Sequence, residues 1–452
     1  MKNCFPPFRK IFYHSLAVFL LGLCILSCKK NIGDVDPEPG QSASAPASDY
    51  DAVVATAWID LQMHLISSTP GFESPVAARS LAYSTLALYE SIHFGMPGFK
   101  SLENQLNGLG NMPKPDTTDT YHWGLVASTA QYTLIRDMYS TTSDVNKKAI
   151  DSVRSHFETE LKKGISDPVV DRSIRFGAEI ATAIWNYSKT DGGQSGSLEN
   201  YPANYSIPTG IGYWKPTGGQ VTPLLPYWGK NRPFVTSNKT TNAEKPVTFS
   251  FDKNSDFFKE AKYVQDSAKI LTAGQKEFVD FWRDGQGTIA TAGHLFNIAS
   301  QILKKEKVKL DKAAEVYVKL GLALNDAHIS AWKAKYTYYL MRPSTYIKQT
   351  LNPSWTPYMA SPPYPEYASI NATAAGASAG ILDSIFGETY AFEDDSHKGS
   401  QPKRNFANFA QLAREASLAG FYSGTQYYFS GQKGRENGYK IAANVLKLKF
   451  KK

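Results

Sequence analysis

From residue 50 onward, apolar positions recur every three or four residues in one segment after another, the spacing of helices that bury one face. The pattern predicts helices near 50–67, 74–95, 119–140, 143–163, 169–189, 256–268, 272–284, 288–304, 309–342, 369–385, 403–427 and 434–447. Local punctuation agrees with the spacing. SPVAARSLAYSTLALYESIHFG, residues 74–95, has Ser at its cap, Pro in its first turn and Gly at its end. No stretch alternates with period two for long enough to make a sheet, so the predicted class is all-α. Residues 201–237 break the pattern with six prolines, several glycines and aromatic residues. The Trp and Tyr content marks this as an ordered crossover rather than a disordered linker.

The first residues follow a different pattern. MKNCFPPFRKIFYHSLAVFLLGLCILSC has a basic start, an apolar stretch near 11–26 and a small residue before Cys28, the layout of a secretory signal. Its end, Ile25-Leu26-Ser27-Cys28, resembles the lipobox of bacterial lipoproteins. The expectation is a signal peptide over 1–27, acylation of Cys28, a flexible tether over 28–48 and a helical domain over 49–452. The expected location is the bacterial cell envelope, with the lipid membrane as partner through the acyl anchor. Cys4, Cys24 and Cys28 are the only cysteines, so the chain beyond Cys28 can form neither a disulfide framework nor a cysteine metal site. The net charge of +8 is modest for 452 residues and is interspersed with acids, which sets nucleic-acid binding aside.

Chemistry concentrates in two places. Lys335, six residues and then Arg342-Pro343 put two cations on one helix face, about 10 Å apart along the axis with only ~20° of drift. Pro343 ends the helix at Arg342. Trp332, Tyr336, Tyr338 and Tyr339 surround the pair, so the face reads as buried, and buried cations need partners. Second, the stiff run SPPYPEYASIN, residues 361–371, leads into the small-residue stretch NATAAGASAGIL, which places a helix N-terminus near Ser369. Such a terminus favours an anion.

These residues resemble the phosphatidic-acid phosphatase type 2 and vanadium-dependent haloperoxidase superfamily, nearest to its bacterial haloperoxidase-like branch. SPVAARSLAYSTLALYESI resembles the family's early helix, GYWKPTGGQVTPLLPYWG its proline-rich crossover and FWRDGQGTIATAGHLFNIA its mid-chain helix pair. K-x6-RP is its first signature. SPPYPEYASIN stands where the family has acid-Tyr-Pro-Ser-Gly-His, and EASLAGFYSGTQYYFSGQKGRENG where it has Ser-Arg, five residues and His. The resemblance implies a helical bundle with a long proline-rich crossover and site motifs within 309–430. It also implies an oxyanion centre. One histidine would act as acid/base. A second would be the nucleophile toward phosphate or the ligand of vanadate, with Lys, Arg, Ser and Gly neutralising the charge.

Position by position, the chain keeps only part of this. Lys335, Arg342 and Ser369 match and are the expected anion-binding residues. The family's Gly is Ile370 and its acid/base His is Asn371. Its Ser-Arg pair is Ala419-Gly420, its final His is Gln426, and the phosphatase aspartate four residues on falls at Ser430. No histidine lies between His328 and His397 or after His397, so no small shift of register restores either imidazole. Asn371, Gly420 and Gln426 are thus degenerate catalytic positions. Amides do not shuttle protons near neutral pH, and Gln426 offers no ring nitrogen to phosphate or vanadium.

The expectation is therefore a lipid-anchored, catalytically degenerate homologue with a residual pocket for a phosphate-like anion. No cofactor is expected, because the vanadate ligand position holds Gln426, and no metal. An enzyme of altered chemistry and a surface glycan-binding lipoprotein remain alternatives, the latter because the many Trp and Tyr side chains could stack on sugars. His328 reads as a core or surface residue. His397 and the acids Glu393, Asp394 and Asp395 read as a solvated turn.

Overall fold

The structure is a computed structural model, described here for residues 44–452 other than Gly218, Gln220 and Gln286. The leader, Cys28 and most of the tether lie outside the described residues. Residues 44–452 belong to one contact unit. Thirteen α-helices are found among the described residues, and the predicted all-α class holds. No helix among the described residues is long and apolar enough to cross a membrane.

The first five helices are α1 (Val53–Ser68), α2 (Ser74–Ile92), α3 (Trp123–Met138), α4 (Asp144–Leu161) and α5 (Asp167–Ser188). After the crossover come α6 (Asp256–Lys269), α7 (Ala273–Phe281), α8 (Ala290–Lys305) and the 29-residue α9 (Leu310–Tyr338). Then follow α10 (Pro343–Thr350), α11 (Ile370–Phe386), α12 (Phe409–Tyr422) and α13 (Tyr428–Leu446).

Helix starts follow side-chain chemistry: the Ser143 hydroxyl accepts from the Asn146 amide, and Thr272 with Gln275 forms a reciprocal capping box. α9 is the central pillar. It is buried along most of its length and packs on α2 and α11. The crossover is clasped to it by specific bonds. Asp326, fully buried on α9, accepts from the amides of Phe234 (2.8 Å) and Val235 (3.0 Å) and from Asn238 Nδ2 (2.9 Å). Burial lifts the Asp326 carboxyl to about 6, although these donors favour its charged form.

Three departures from the sequence pattern matter. α9 stops at Tyr338, because Tyr339 takes left-handed backbone (φ 46°), and Arg342 then caps the unpredicted α10. The break between the last two helices falls at 423–427, around Gly424 at φ 77°, rather than at 428–433. A short antiparallel hairpin, β1 (Phe392–Asp394) and β2 (Arg404–Phe406), pairs Phe392 with Phe406 where no strand is predicted.

The small residues of α11 let α13 approach to backbone contact. A Cβ built on Gly438 would lie 2.2 Å from the Thr373 carbonyl oxygen and 2.6 Å from the Ala377 nitrogen. By contrast, a Cβ on Gly274 of α7 would meet nothing within 4 Å. Gly438→Ala is expected to lower stability by about 1–3 kcal/mol through overpacking. Gly274→Ala is expected to raise it by about 0.5–1 kcal/mol through helix propensity. Urea unfolding of the two variants checks the contrast.

Candidate functional site

The bend after α9 and the start of α11 bring the signature residues together. Lys335 and Arg342 are both fully buried. Lys335 Nζ donates to the carbonyls of Ala368 (2.7 Å), Glu366 (3.1 Å) and Pro365 (3.3 Å). An ammonium has three hydrogens, so its donors are all engaged. Arg342 donates from Nε and Nη2 to the Tyr364 carbonyl (3.1 and 2.8 Å) and from Nη1 to that of Thr425 (2.9 Å). The proline-rich run 361–369 thus wraps its carbonyl oxygens around the two cations. The Tyr364 ring completes the enclosure, with Lys335 Nζ at 4.8 Å and Arg342 Cζ at 5.1 Å from its centroid.

One carboxylate shares this interior. Glu366 is fully buried and accepts from the Tyr427 amide (3.1 Å) and the Ser430 hydroxyl (2.8 Å). Burial pushes its carboxyl up to about 7, against the pull of Arg342 and Lys335. Lys335 is held well below the usual ammonium range by burial and then by Arg342, with Glu366 opposing. Burial likewise lowers Arg342.

Ser369 caps α11, its hydroxyl accepting from the Ala372 amide at 3.3 Å. The helix starts where the sequence places it. Ser369 is fully buried, as are Lys335 and Arg342, and none of the three lines the nearby cavity. Asn371, Gly420 and Gln426 do line it. This cavity of about 240 Å³ is also bounded by Trp282, Arg283 and Tyr364. Asn371 is anchored to its wall: Nδ2 donates to the Trp282 carbonyl (3.2 Å) and Oδ1 accepts from the Thr291 hydroxyl (3.0 Å). A Cβ on Gly420 would lie 2.0 Å from Gln426 Oε1, so the Gln426 amide occupies the space where a side chain at 420 would begin.

Behind Trp282 lies a cluster the sequence reading missed. His294 is fully buried, with Nδ1 3.0 Å from Asp284 Oδ1 and Nε2 2.9 Å from Asp394 Oδ2. Burial disfavours its charged form, but Asp284 and then Asp394 more than offset this and raise the ring to about 10. Trp282 stacks on it at 4.8 Å between centroids. The expected solvated turn is therefore corrected: Asp394 is buried in this cluster, and His397 is half-buried with Nε2 donating to the Phe281 carbonyl at 2.7 Å. Asp284, His294 and His397 each offer an atom within 4.8 Å of the others. Both His294 nitrogens face carboxylates, so an ion taking either one would have to displace a proton that a carboxylate holds there. The cluster instead braces Trp282 and, through it, Asn371. His328 is a core residue, bonded to the Ser74 hydroxyl (2.8 Å) and the Leu324 carbonyl (2.7 Å).

Residues 315–451 match the family described as the VCPO second helical-bundle domain. Among solved structures, the chain is similar to one described as the first bacterial vanadium-dependent iodoperoxidase. The identity is 29%, with a TM-score of 0.78, over 88% of this chain and 96% of that one. It also shares its fold with a bacterial vanadium-dependent chloroperoxidase in holo and apo forms. Each has 13% identity and a TM-score of 0.57, over 90% of this chain and 93% and 95% of theirs. No curated protein matches the chain by sequence comparison.

The His294 cluster makes a testable demand on pH. Its ring is raised from 6.5 to about 10, so the folded chain holds one proton more than the unfolded chain between those values. Its stabilisation is full below pH 6.5 and declines as pH rises toward 10, by up to about 1.4 kcal/mol per pH unit. His294→Gln is expected to be less stable at pH 6 and to lack this alkaline slope in denaturant titrations.

Proposed function

Because the chain belongs to the phosphatidic-acid phosphatase type 2 and vanadium-dependent haloperoxidase superfamily, we propose that it is a lipid-anchored member that has lost the chemistry of its relatives. It keeps their helical scaffold and a remnant of an oxyanion pocket. The observation that carries this reading is the engagement of Lys335: its donors all point at the carbonyls of residues 365, 366 and 368.

Vanadate does not fit the donor set. Position 426 supplies an amide oxygen and nitrogen instead of an imidazole lone pair, and amide nitrogen is not basic enough to bind vanadium. Asn371 cannot hand on a proton at neutral pH, and its amide is already held by Trp282 and Thr291. Gly420 contributes no bidentate clamp. A phosphate-like anion reaches Lys335 or Arg342 only by displacing carbonyls that already solvate them, so what remains of the pocket binds anions weakly.

Native protein in millimolar vanadate or phosphate is expected to show no thermal shift. The variant Asn371→His/Gly420→Arg/Gln426→His is expected to gain one. Gly420→Arg alone is expected to be less stable than in combination with Gln426→His, because the Gln426 amide blocks its Cβ. Vanadate-dependent iodide oxidation by the native protein, abolished by Gln426→Ala, would contradict the reading.

Anchoring rests on the lipobox-like sequence ending in Cys28. Metabolic labelling with palmitate in a bacterial host is expected to mark the native chain and not Cys28→Ser. Equal labelling of both would exclude acylation at this cysteine.

A further inference from the structure

The proline-rich crossover contributes nothing to the cavity at Asn371 and Gln426, yet it forms two adjoining cavities of its own. One, of about 500 Å³, lies between the crossover and α9. The other, of about 430 Å³, lies between the crossover and residues 192–199 before it, and shares Gly192 and Asn231 with the first. Together they make a two-lobed cleft.

The lobes differ in chemistry. The larger is lined by Lys230, Arg232, Lys239 and Lys333, with Asp191 as the one acid on its wall. That acid is already neutralised within the protein: Asp191 Oδ2 accepts from Arg79 Nε at 2.7 Å and from the Tyr83 hydroxyl at 2.9 Å. Lys333 Nζ donates to the Lys239 carbonyl (3.2 Å), Lys230 Nζ lies 5.2 Å from the Tyr227 ring centroid and Arg232 Cζ 4.1 Å from that of Tyr187. These cations are held by carbonyls and rings and not by carboxylates, and grouped positive charge of this kind draws anions from solution. Arg232 is fixed by bonds to the Thr190 hydroxyl (2.7 Å) and the Tyr187 carbonyl (2.8 Å). The smaller lobe presents Tyr227, 43% exposed, together with Asn204 and the carboxylate of Glu199, which accepts from the Ser195 hydroxyl at 2.9 Å. At the wall common to both lobes, Asn231 is only 9% exposed, and its Nδ2 has no hydrogen-bond partner. The crossover is held rigid by the bonds from Phe234, Val235 and Asn238 to Asp326, so the cleft is preformed.

We propose that this cleft binds an acidic oligosaccharide. Its sulfate or carboxylate groups lie over Lys230, Arg232, Lys239 and Lys333, and a sugar ring packs against the part of Tyr227 left exposed beside Lys230 and Tyr205. The reasoning is geometric. An inorganic anion fills a small part of either lobe and makes no use of an exposed aromatic ring. A neutral sugar makes no use of four cations. A chain of anionic sugars uses both. The proposal does not depend on whether the superfamily site is degenerate, because the two sites share no lining residue.

The test is calorimetric titration of the full chain with a sulfated tetrasaccharide, its desulfated counterpart, inorganic sulfate and a single-stranded oligonucleotide of equal charge. The sulfated sugar is expected to bind at least about tenfold more tightly than the other three. Lys230→Gln/Lys239→Gln/Lys333→Gln changes only exposed side chains and is expected to weaken it by about tenfold or more. The control Lys148→Gln/Lys162→Gln/Lys163→Gln, on α4 and the turn that follows it, with the same loss of charge, is expected to leave it unchanged. Tyr227→Ala is expected to weaken the sugar several-fold and leave inorganic sulfate unaffected. No binding, equal loss in the control, or equal binding of sulfate or the oligonucleotide would overturn the proposal.

Discussion

The basic groups of Lys335 and Arg342 lie where water does not reach, and that demand governs the rest of the site. Taking a cation out of water costs several kcal/mol even after relaxation, unless each hydrogen finds an acceptor. In this chain the acceptors are internal. The proline-rich run turns the carbonyls of Tyr364, Pro365, Glu366 and Ala368 inward, and Thr425 supplies another from the turn before α13. Prolines suit this task because they have no backbone N–H of their own to satisfy and hold an extended path. The cations, in turn, fix the loop that starts α11. The cradle and the loop are one cooperative unit.

The same constraint explains why Asn371, Gly420 and Gln426 are compatible with an ordered structure. With the cations satisfied from within, the cavity beside them can be lined by amides and a glycine, and no unpaired charge is left behind. Asn371 is tied to Trp282 and Thr291, and Trp282 rests on the imidazolium of His294 between two aspartates. The cavity wall is thus supported by an ion triad whose members are fully shielded from solvent. That triad acts as a rigidifying device: one imidazolium ties two carboxylates together, with each ring nitrogen facing one of them.

Much of this was legible in the sequence, and the failures have physical causes. Helix positions followed from the spacing of apolar residues and from first-turn prolines such as Pro75. Ser74, expected as the cap of α2, lies inside the helix after Glu73, and its hydroxyl bonds His328 instead. The K-x6-RP spacing correctly put Lys335 and Arg342 in the interior, and the small-residue run correctly started a helix at Ser369. The end of α9 was misjudged because Tyr339 adopts left-handed backbone without being glycine, under tertiary pressure that leaves no local signal. Gly424 did carry a turn signal for the α12–α13 break. The hairpin at 392–406 has strands of three residues, too short for alternation to register. The His294 cluster joins residues 284, 294 and 394, a juxtaposition made only by folding. The partners of Lys335 could not be read at all, because backbone carbonyls have no residue type.

The most direct measurement is a high-resolution crystal structure of the native protein soaked in vanadate at neutral pH. Internal satisfaction of the cradle predicts Lys335 Nζ still bonded to the carbonyls of residues 365, 366 and 368, with no vanadium beside residue 426. A vanadium centre held there, with Lys335 and Arg342 turned from the carbonyls onto its oxygens, would contradict it.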